Sequence, residues 1–204
     1  MSGRRRALGG DRPSAYLCFI MLRFAAPLLV ALCLLLPPAA WADQTDKRLD
    51  ELFARLQTTE TSEEATRIEQ AIWAIWLDSG SATTDLLMEH ALAVMAAQDY
   101  PEALRLLDAV VELDPDYAEG WNKRATIYYL MGKPAKSLAD VEHTLALEPR
   151  HFGALSGMGE IFLELGDDAK ALDAFQRALE VDPHLAGAKA QVKRLERKVK
   201  GDQI

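Results

Sequence analysis

The sequence predicts an all-α protein, a right-handed α-solenoid of three helical hairpins with another hairpin before them and a capping helix after them. The first observation is a repeat, because the dipeptides Asp114-Pro115, Glu148-Pro149 and Asp182-Pro183 stand 34 residues apart. The second is that apolar residues recur at helical spacing in both halves of each interval. The third is that small residues occupy matching positions of the intervals, which lets two helices cross closely. These features predict stacked pairs of amphipathic helices.

Residues 1–42 are predicted to be a secretory signal peptide rather than part of the fold. An apolar run over residues 24–36 follows Arg23 and precedes the small residues Ala40 and Ala42. This order is typical of a signal peptide, because the apolar helix enters the membrane and the arginine stays on the cytoplasmic side. The signal peptidase then accepts the two small side chains.

We expect cleavage between Ala42 and Asp43 and a periplasmic product in a bacterium. Met21 is an alternative initiator for the same signal peptide. An uncleaved anchor over residues 17–36 is the competing interpretation, because that segment is long enough to span a membrane. We expect membrane association only if the segment is retained.

The cysteines and the charged residues restrict the function of the mature chain. Cys18 and Cys33 both precede the expected cleavage point, so we expect no disulfide, no thiol nucleophile and no cysteine-ligated metal. Of the 23 basic and 31 acidic residues, 5 and 1 fall in residues 1–42, which leaves 18 and 30. This negative charge argues against nucleic acid as a partner and favours a basic or apolar protein or peptide over an acidic one.

Residues 43–82 are predicted to form a divergent N-terminal helical hairpin. Two segments, 45–58 and 62–77, each carry apolar residues on one helical face. These residues are Leu49, Leu52, Phe53 and Leu56 in the first segment and Ile68, Ile72, Ile75 and Trp76 in the second. The hairpin lacks the repeat spacing, so we expect a cap or a fourth unit that shields the first repeat from water. Trp76 is expected in the core, whereas Trp73 lies to one side and is a candidate partner anchor.

Three repeat units are predicted at residues 84–117, 118–151 and 152–185. The first half of each unit has large, small and large residues at helical spacing, namely Leu87, Ala91 and Val94, then Trp121, Ala125 and Tyr128, then Leu155, Gly159 and Phe162. The second half has Ala103, Leu107 and Val110, then Ser137, Val141 and Thr144, then Ala171, Phe175 and Ala178. Gly132 and Gly166 are expected to end the first helices of the second and third units.

Residues 186–204 are predicted to form a basic capping helix and tail. Ala188, Val192, Leu195 and Val199 lie on one side of this helix, and the basic residues lie elsewhere. A terminal helix with a polar outer face shields the end of a repeat array from water.

The repeat resembles the tetratricopeptide repeat (TPR) over about residues 84–183, in three consecutive units. The chain departs from the pattern at His90, Arg124 and Met158, where the family usually has leucine. The resemblance implies helix–turn–helix units that stack into a superhelix and bind a partner on the first helix of each unit. Small exported bacterial TPR proteins of this kind act as adaptors.

The resemblance places the candidate partner-binding residues on the concave face formed by the first helices. With the core positions removed, the candidates are Met88, Leu92, Met95, Asn122, Thr126, Tyr129, Ser156, Glu160 and Leu163. Methionine and tyrosine offer adaptable apolar contact, and Asn122 can hydrogen-bond a peptide backbone, so we expect an extended peptide or a partner helix. The alternative is that water or the N-terminal hairpin covers this face. Gly153, Ser156 and Gly157 stand where a clamp for a terminal carboxylate needs basic residues, which disfavours that mode.

We expect no catalytic residue, no cofactor and no metal. The four histidines, His90, His143, His151 and His184, lack the spacing of a metal site, and the sequence has no phosphate-binding loop or nucleophile motif. The function expected is therefore a non-enzymatic adaptor or scaffold in the cell envelope. A structural module that self-associates into a homo-oligomer and a membrane-tethered regulator are the alternatives.

Overall fold

The structure is a computed structural model that describes the backbone of residues 46–201 and the side chains of residues 46–198. Within this range the regular secondary structure is entirely α-helical, as predicted. The helices are α1 (Lys47–Thr58), α2 (Ser62–Trp76), α3 (Ala82–Ala96), α4 (Tyr100–Leu113), α5 (Ala118–Leu130), α6 (Pro134–Leu147), α7 (Phe152–Glu164), α8 (Asp168–Val181) and α9 (Ala186–Gly201). The predicted signal peptide and cleavage point lie outside the described residues. Among the helices described, none has both the length and the apolar character needed to cross a membrane.

The repeat hairpins turn where the sequence can satisfy the helix ends. Gly132 and Gly166 follow α5 and α7 with φ angles of 66° and 78°, which glycine adopts without steric strain. Asp167 then caps α8, because its carboxylate accepts a hydrogen bond from the backbone N–H of Lys170 at 3.1 Å. The resulting tight turns fold α6 back on α5 and α8 back on α7.

The three pairs α3–α4, α5–α6 and α7–α8 form the predicted repeat units. Their second-half positions are all buried, namely Ala103, Leu107, Val110, Ser137, Val141, Thr144, Ala171, Phe175 and Ala178. At the crossing of the third pair, a Cβ atom built on Gly159 would lie 2.6 Å from Cζ of Phe175. Only a residue without a side chain allows this approach, so the small position of the repeat has a direct steric cause.

The departure from the family pattern at Arg124 is a polar seam between units. Arg124 Nε donates to Asp140 Oδ2 at 2.7 Å, and its Nη1 donates to Asp108 Oδ1 at 3.0 Å. The guanidinium group also lies 4.7 Å from the ring centre of Trp121, whose Nε1 donates to the Pro115 carbonyl oxygen at 2.8 Å. Trp121, one of the large residues of the repeat pattern, is therefore half-buried at the seam.

The hairpin α1–α2 is present as predicted, but its apolar faces pack against the third repeat. Leu49, Phe53, Leu56, Ala65, Ile68, Ile72 and Trp76 form one cluster with Phe152 at the start of α7, against which Val181 and Leu185 pack. The side-chain amide of Gln57 donates to the carbonyl oxygens of Glu180 and Val181 at 2.7 and 2.6 Å. The hairpin was expected to shield the first repeat; Leu77 at its end does pack on the core of that repeat, but the apolar faces of α1 and α2 pack on the third.

The size of the hairpin's side chains explains this location. Repeat hairpins approach one another because small residues lie at their crossings, whereas α2 presents Trp73 and Trp76. The Trp73 ring needs a neighbouring backbone position that carries no side chain. Gly153 on α7 provides one, because a Cβ atom built there would lie 2.8 Å from Cη2 of Trp73.

Helix α9 packs on the third repeat as the predicted cap. Ala188 and Leu195 are buried in a cluster with Ala171 and Phe175 of α8. Outside this cluster, Lys198 forms an ion pair with Asp168 in the first turn of α8. Helix α9 therefore gives the last repeat an apolar contact and a charged outer face.

Candidate protein-binding groove

A groove lies between α5 and α7, the first helices of the second and third repeats. It has a volume of about 230 Å³. Its lining residues are Asn122, Ala125, Thr126 and Tyr129 of α5, Ser137 and Val141 of α6, and Gly153, Gly157, Glu160 and Ile161 of α7. We call this surface the α5–α7 groove.

Small residues and inward-turned hydroxyl groups keep the groove open. A Cβ atom built on Gly157 would have no atom within 4 Å, so this part of α7 faces open space. The Ser137 hydroxyl donates to the Ala125 carbonyl oxygen at 2.7 Å, and the Thr126 hydroxyl donates to the Asn122 carbonyl oxygen at 3.0 Å. Because both hydroxyls are bound to backbone, the floor presents mainly carbon atoms.

One end of the groove is acidic. Glu160 lines the groove, and its Oε1 accepts a hydrogen bond from Gln191 of α9 at 3.2 Å. Burial raises the pKa of the Tyr129 hydroxyl, and the negative charges of Glu164 and Glu160 raise it further. Tyr129 therefore stays protonated at neutral pH and offers a ring and a hydrogen-bond donor beside two carboxylates.

A buried carboxylate holds the opposite end together. Glu119 is fully buried and accepts hydrogen bonds at Oε2 from Asn122 Nδ2 at 2.8 Å and from His151 Nε2 at 2.9 Å, while Lys123 Nζ lies 2.7 Å from Oε1. Burial alone would raise the pKa of Glu119, but the His151 hydrogen bond and the Lys123 charge outweigh it and hold the pKa below its ordinary value. Glu119 is therefore ionised at neutral pH.

His151 is oriented by contacts at both ring nitrogens. The backbone N–H of Ala154 donates to Nδ1 at 3.1 Å, so Nδ1 is an acceptor and the proton of the neutral ring lies on Nε2. That Nε2–H faces Glu119 at 2.9 Å. His151 therefore caps α7 and bridges it to α5 at the same time.

Tryptophans of α2 lie against this end of the groove. The Trp76 ring stacks on the His151 ring with 4.1 Å between centroids and 10° between planes. The Trp73 ring meets the Phe152 ring edge-on at 5.5 Å, and Lys123 Nζ lies 4.9 Å from the Trp73 ring centre. Trp76 is in the core as predicted, and Trp73 is an anchor whose partner is this chain's own third repeat.

The structure brings four of the nine predicted binding residues together. Asn122, Thr126, Tyr129 and Glu160 line the α5–α7 groove. The amide nitrogen of Asn122 is already bonded to Glu119, and only 7% of the residue is exposed. This amide is therefore a support for the groove wall more than a free ligand donor.

The remaining five predicted residues lie elsewhere. Met88 is 2% exposed in the core of the first repeat, so it offers no surface to a partner. Leu92 and Met95 are half-buried against the same core. Leu163 packs on the cluster between α8 and α9, and Ser156 is half-buried outside the groove lining.

Sequence reasoning used Gly153 and Gly157 only to disfavour a carboxylate clamp, and it missed both the open groove that they line and the buried charge. Gly153 and Gly157 stand four residues apart and therefore share one face of α7, which is a signal for an open groove that the spacing could have revealed. Glu119 and His151 are 32 residues apart, and their pairing depends on how two repeats stack. Across the part of the chain that the structure describes, no cluster of three histidine, cysteine or acidic residues is arranged to hold a metal ion.

Comparison with known proteins agrees with this architecture. A family model described as Tetratricopeptide repeat matches residues 116–184, and one described as TPR repeat matches residues 91–132. A TPR repeat-containing protein of Rhizobium etli is 44% identical over 157 residues, which are 77% of this chain and 77% of that protein. The small glutamine-rich tetratricopeptide repeat-containing protein 2 of Mycosarcoma maydis is 26% identical over 52% of this chain and 30% of its own length.

Solved structures share the fold at low sequence identity. The first TPR of Spaghetti (RPAP3), bound to an HSP90 peptide, superposes with a TM-score of 0.56 and 21% identity over 57% of this chain and 93% of that one. The Yersinia enterocolitica secretion chaperone SycD, in complex with a peptide of the translocator YopD, superposes with a TM-score of 0.55 and 15% sequence identity. This match covers 58% of the present chain and 95% of SycD. Both of these similar proteins hold peptides.

Proposed function

The chain belongs to the tetratricopeptide-repeat family, and we propose that it is a non-enzymatic adaptor that binds a peptide or helix of another protein in the α5–α7 groove. The observation that carries this proposal is the open face of α7 at Gly157, opposite the half-buried ring of Tyr129. Both residues line the groove, whose volume of about 230 Å³ is open to side chains of a bound segment. The peptide-bound relatives of the same fold support this mode of binding.

The groove lining favours a partner segment with apolar and basic residues. Ala125, Val141 and Ile161 supply apolar contact, and Glu160 supplies negative charge at one end. Nearby, Glu164 adds a second negative charge on the same helix. A basic residue at that end of the ligand gains attraction, whereas an acidic residue is repelled.

We further propose that this adaptor works in the periplasm of a bacterium after cleavage before Asp43. The support is the sequence order in residues 1–42, where an apolar run follows Arg23 and precedes Ala40 and Ala42. Peptide sequencing of the N-terminus of the purified protein tests this location. An N-terminus at Met1 or Met21 on a membrane-bound product would contradict it.

Photo-crosslinking in the native cell tests the groove. A benzophenone amino acid replaces Tyr129, and the matched control carries the same group at Lys170, an exposed position on α8. We expect a discrete partner from position 129 and none from position 170. Equal capture at both positions, or a crosslink between two copies of the chain, would count against groove binding and favour non-specific contact or self-association.

A further inference from the structure

The hairpin α1–α2 lies against the end of the groove that Gly153 marks. We propose that this hairpin is a releasable internal ligand of the repeat array, and that the partner which takes its place is an amphipathic helix carrying an aromatic pair. The inference rests on the proposed function, because release of the hairpin lengthens the α5–α7 groove along α7.

The first support is that Trp73 lies against a residue of the groove lining. Its Cη2 and Cζ2 atoms lie 2.8 and 3.0 Å from the position that a Cβ atom on Gly153 would take. Gly153 is also a lining residue of the groove. A ligand that runs along α7 from Gly157 towards the start of the helix therefore meets the Trp73 ring.

The second support is that the surface under the hairpin has the features of a binding site. His151 offers an aromatic face to Trp76, Phe152 offers an edge to Trp73, and Lys123 lies over the Trp73 ring. Two aromatic residues at positions i and i+3, as Trp73 and Trp76 are in α2, present both rings at neighbouring positions of one helix face. This chemistry identifies the kind of helix that can compete.

The third support is that the docked hairpin contains unfavourable contacts. Within the described residues, the buried Nε1 of Trp76 has no hydrogen-bond partner. Glu69 of α2 faces Asp182, so two carboxyl groups meet where the hairpin reaches α8. A competing helix that avoids these contacts binds the same surface better.

Exposed polar contacts fasten the hairpin at its outer edge. Gln57 donates to two carbonyl oxygens at the end of α8, and Arg150 Nη1 lies 2.7 Å from Asp50 Oδ1. Water can replace both contacts when the hairpin leaves. Gln57→Ala therefore weakens docking without altering the surface on which the tryptophans rest.

Thiol labelling of the full chain, with Cys18 and Cys33 replaced by serine, measures release. Ala65→Cys places a thiol inside the hairpin cluster, and Ala171→Cys places one in the core of the third repeat; both alanines are 0% exposed. We expect maleimide to react about tenfold faster at position 65, and faster still with Gln57→Ala but not with the exposed control Gln176→Ala. Equal rates at positions 65 and 171 would overturn the proposal, because the hairpin would then open only with global unfolding.

A peptide in trans tests the chemistry of the competing helix. The probe is a fluorescent synthetic peptide of residues 62–77, and its control has alanine in place of Trp73 and Trp76. We expect the probe to bind the Gln57→Ala chain at least about fivefold more tightly than the parent chain. Binding should disappear when Gln57→Cys and Glu180→Cys are joined by a short bismaleimide, while Gln57→Cys capped alone still binds. The proposal would be overturned if the probe bound the joined and unjoined chains equally, or if the control peptide bound as tightly as the probe.

The photo-crosslink from Tyr129 separates this inference from the proposed function. If position 129 captures less partner when residues 57 and 180 are joined than when they are not, both the groove binding and the hairpin release are supported. If capture is equal from joined and unjoined chains, groove binding stands and regulation by the hairpin is wrong. A third outcome is that position 129 captures no partner, while the thiol at position 65 reacts fast and the peptide probe binds only the unjoined chain. The hairpin inference then stands, and partner binding at Tyr129 is wrong.

Discussion

Gln98 has the same left-handed backbone conformation as Gly132, its counterpart in the next repeat, with φ angles of 62° and 66°. Both residues end the first helix of their unit and donate a backbone hydrogen bond of 2.9 Å, from Gln98 to Met95 and from Gly132 to Tyr129. The turn is thus conserved in geometry between the units although its residue is not. A side chain at a left-handed position is strained, so the first repeat carries a strain that the second avoids.

Gln98→Gly is expected to stabilise the protein by about 1 kcal/mol, the steric penalty of a side chain at this φ. Urea unfolding followed by circular dichroism measures the change. The reciprocal variant Gly132→Gln is expected to destabilise the protein by a similar amount. No gain from Gln98→Gly would mean that the glutamine side chain contributes contacts that offset its strain.

Glu119→Gln is expected to destabilise the protein by about 3 kcal/mol, because His151 and Lys123 then face an amide in a buried site. The control Glu102→Gln removes an exposed charge paired with Arg105 and should leave stability unchanged within error. Chemical unfolding of both variants at pH 7 gives the comparison. Equal effects would contradict the structural role of the buried carboxylate.

The same carboxylate predicts a loss of stability in acid. Because the folded-state pKa of Glu119 lies below its ordinary value of 4.5, the unfolded chain takes up its proton first as the pH falls. Its contribution is therefore complete above about pH 4.5 and declines as the pH falls through the lowered pKa. Glu119→Gln should have a flatter stability profile in that range than the parent chain.

Glu69→Gln is expected to raise stability at pH 7, by less than about 1 kcal/mol because the site is partly exposed to water. Burial raises the pKa of Glu69, and the charge of Asp182 raises it further; burial likewise raises the pKa of Asp182. Because the pKa of Glu69 is raised in the folded state, the contribution of its protonated form to stability is complete at a pH below the ordinary pKa. That contribution is lost as the pH rises through the raised pKa. The gain from Glu69→Gln should therefore vanish in acid.

The control for this variant is Glu63→Gln on the exposed face of the same helix, where the carboxylate pairs with Arg67. Thermal unfolding between pH 3.5 and 7 distinguishes the two variants. A gain from Glu69→Gln that persists at the lowest pH would show that repulsion by Asp182 is not its cause.

Two glycines on one face of α7 give opposite predictions. Gly157→Ala should stabilise the protein by about 0.5 to 1 kcal/mol, because alanine favours the helical conformation more than glycine does. The new methyl group also has no atom within 4 Å. Gly153→Ala places its methyl group against Trp73 and should destabilise by about 1 to 2 kcal/mol. The two substituted positions are about one helical turn apart, and the unfolding curves of the two variants test the placement of the hairpin. A stabilising Gly153→Ala would contradict it.

The repeat fold could be predicted because its information is local. Positions such as Ala171, Phe175 and Ala178 are set by spacing within one helix, and their burial followed the pattern. The docking of α1–α2 could not be predicted in this way. Gln57 and Val181 are 124 residues apart, and only the stacked array brings them together.

The sequence could predict the part of the candidate site that depends on the face of a single helix. A helical wheel places Asn122, Thr126 and Tyr129 on one face of α5, and all three line the groove. The same reasoning placed Met88 on a free face, whereas the neighbouring helix covers it. A wheel shows which residues share a face, but it does not show which faces another helix buries.

The contact between Gln57 and the end of α8 changes how this array is expected to fold. In a plain solenoid each unit touches only its neighbours, so stability grows one unit at a time and ends can fray. Here the first two helices complete their core only when residues near Phe152 and Val181 are in place. Completion of the hairpin core must therefore wait until the third repeat has formed, which raises the contact order and slows the final step of folding.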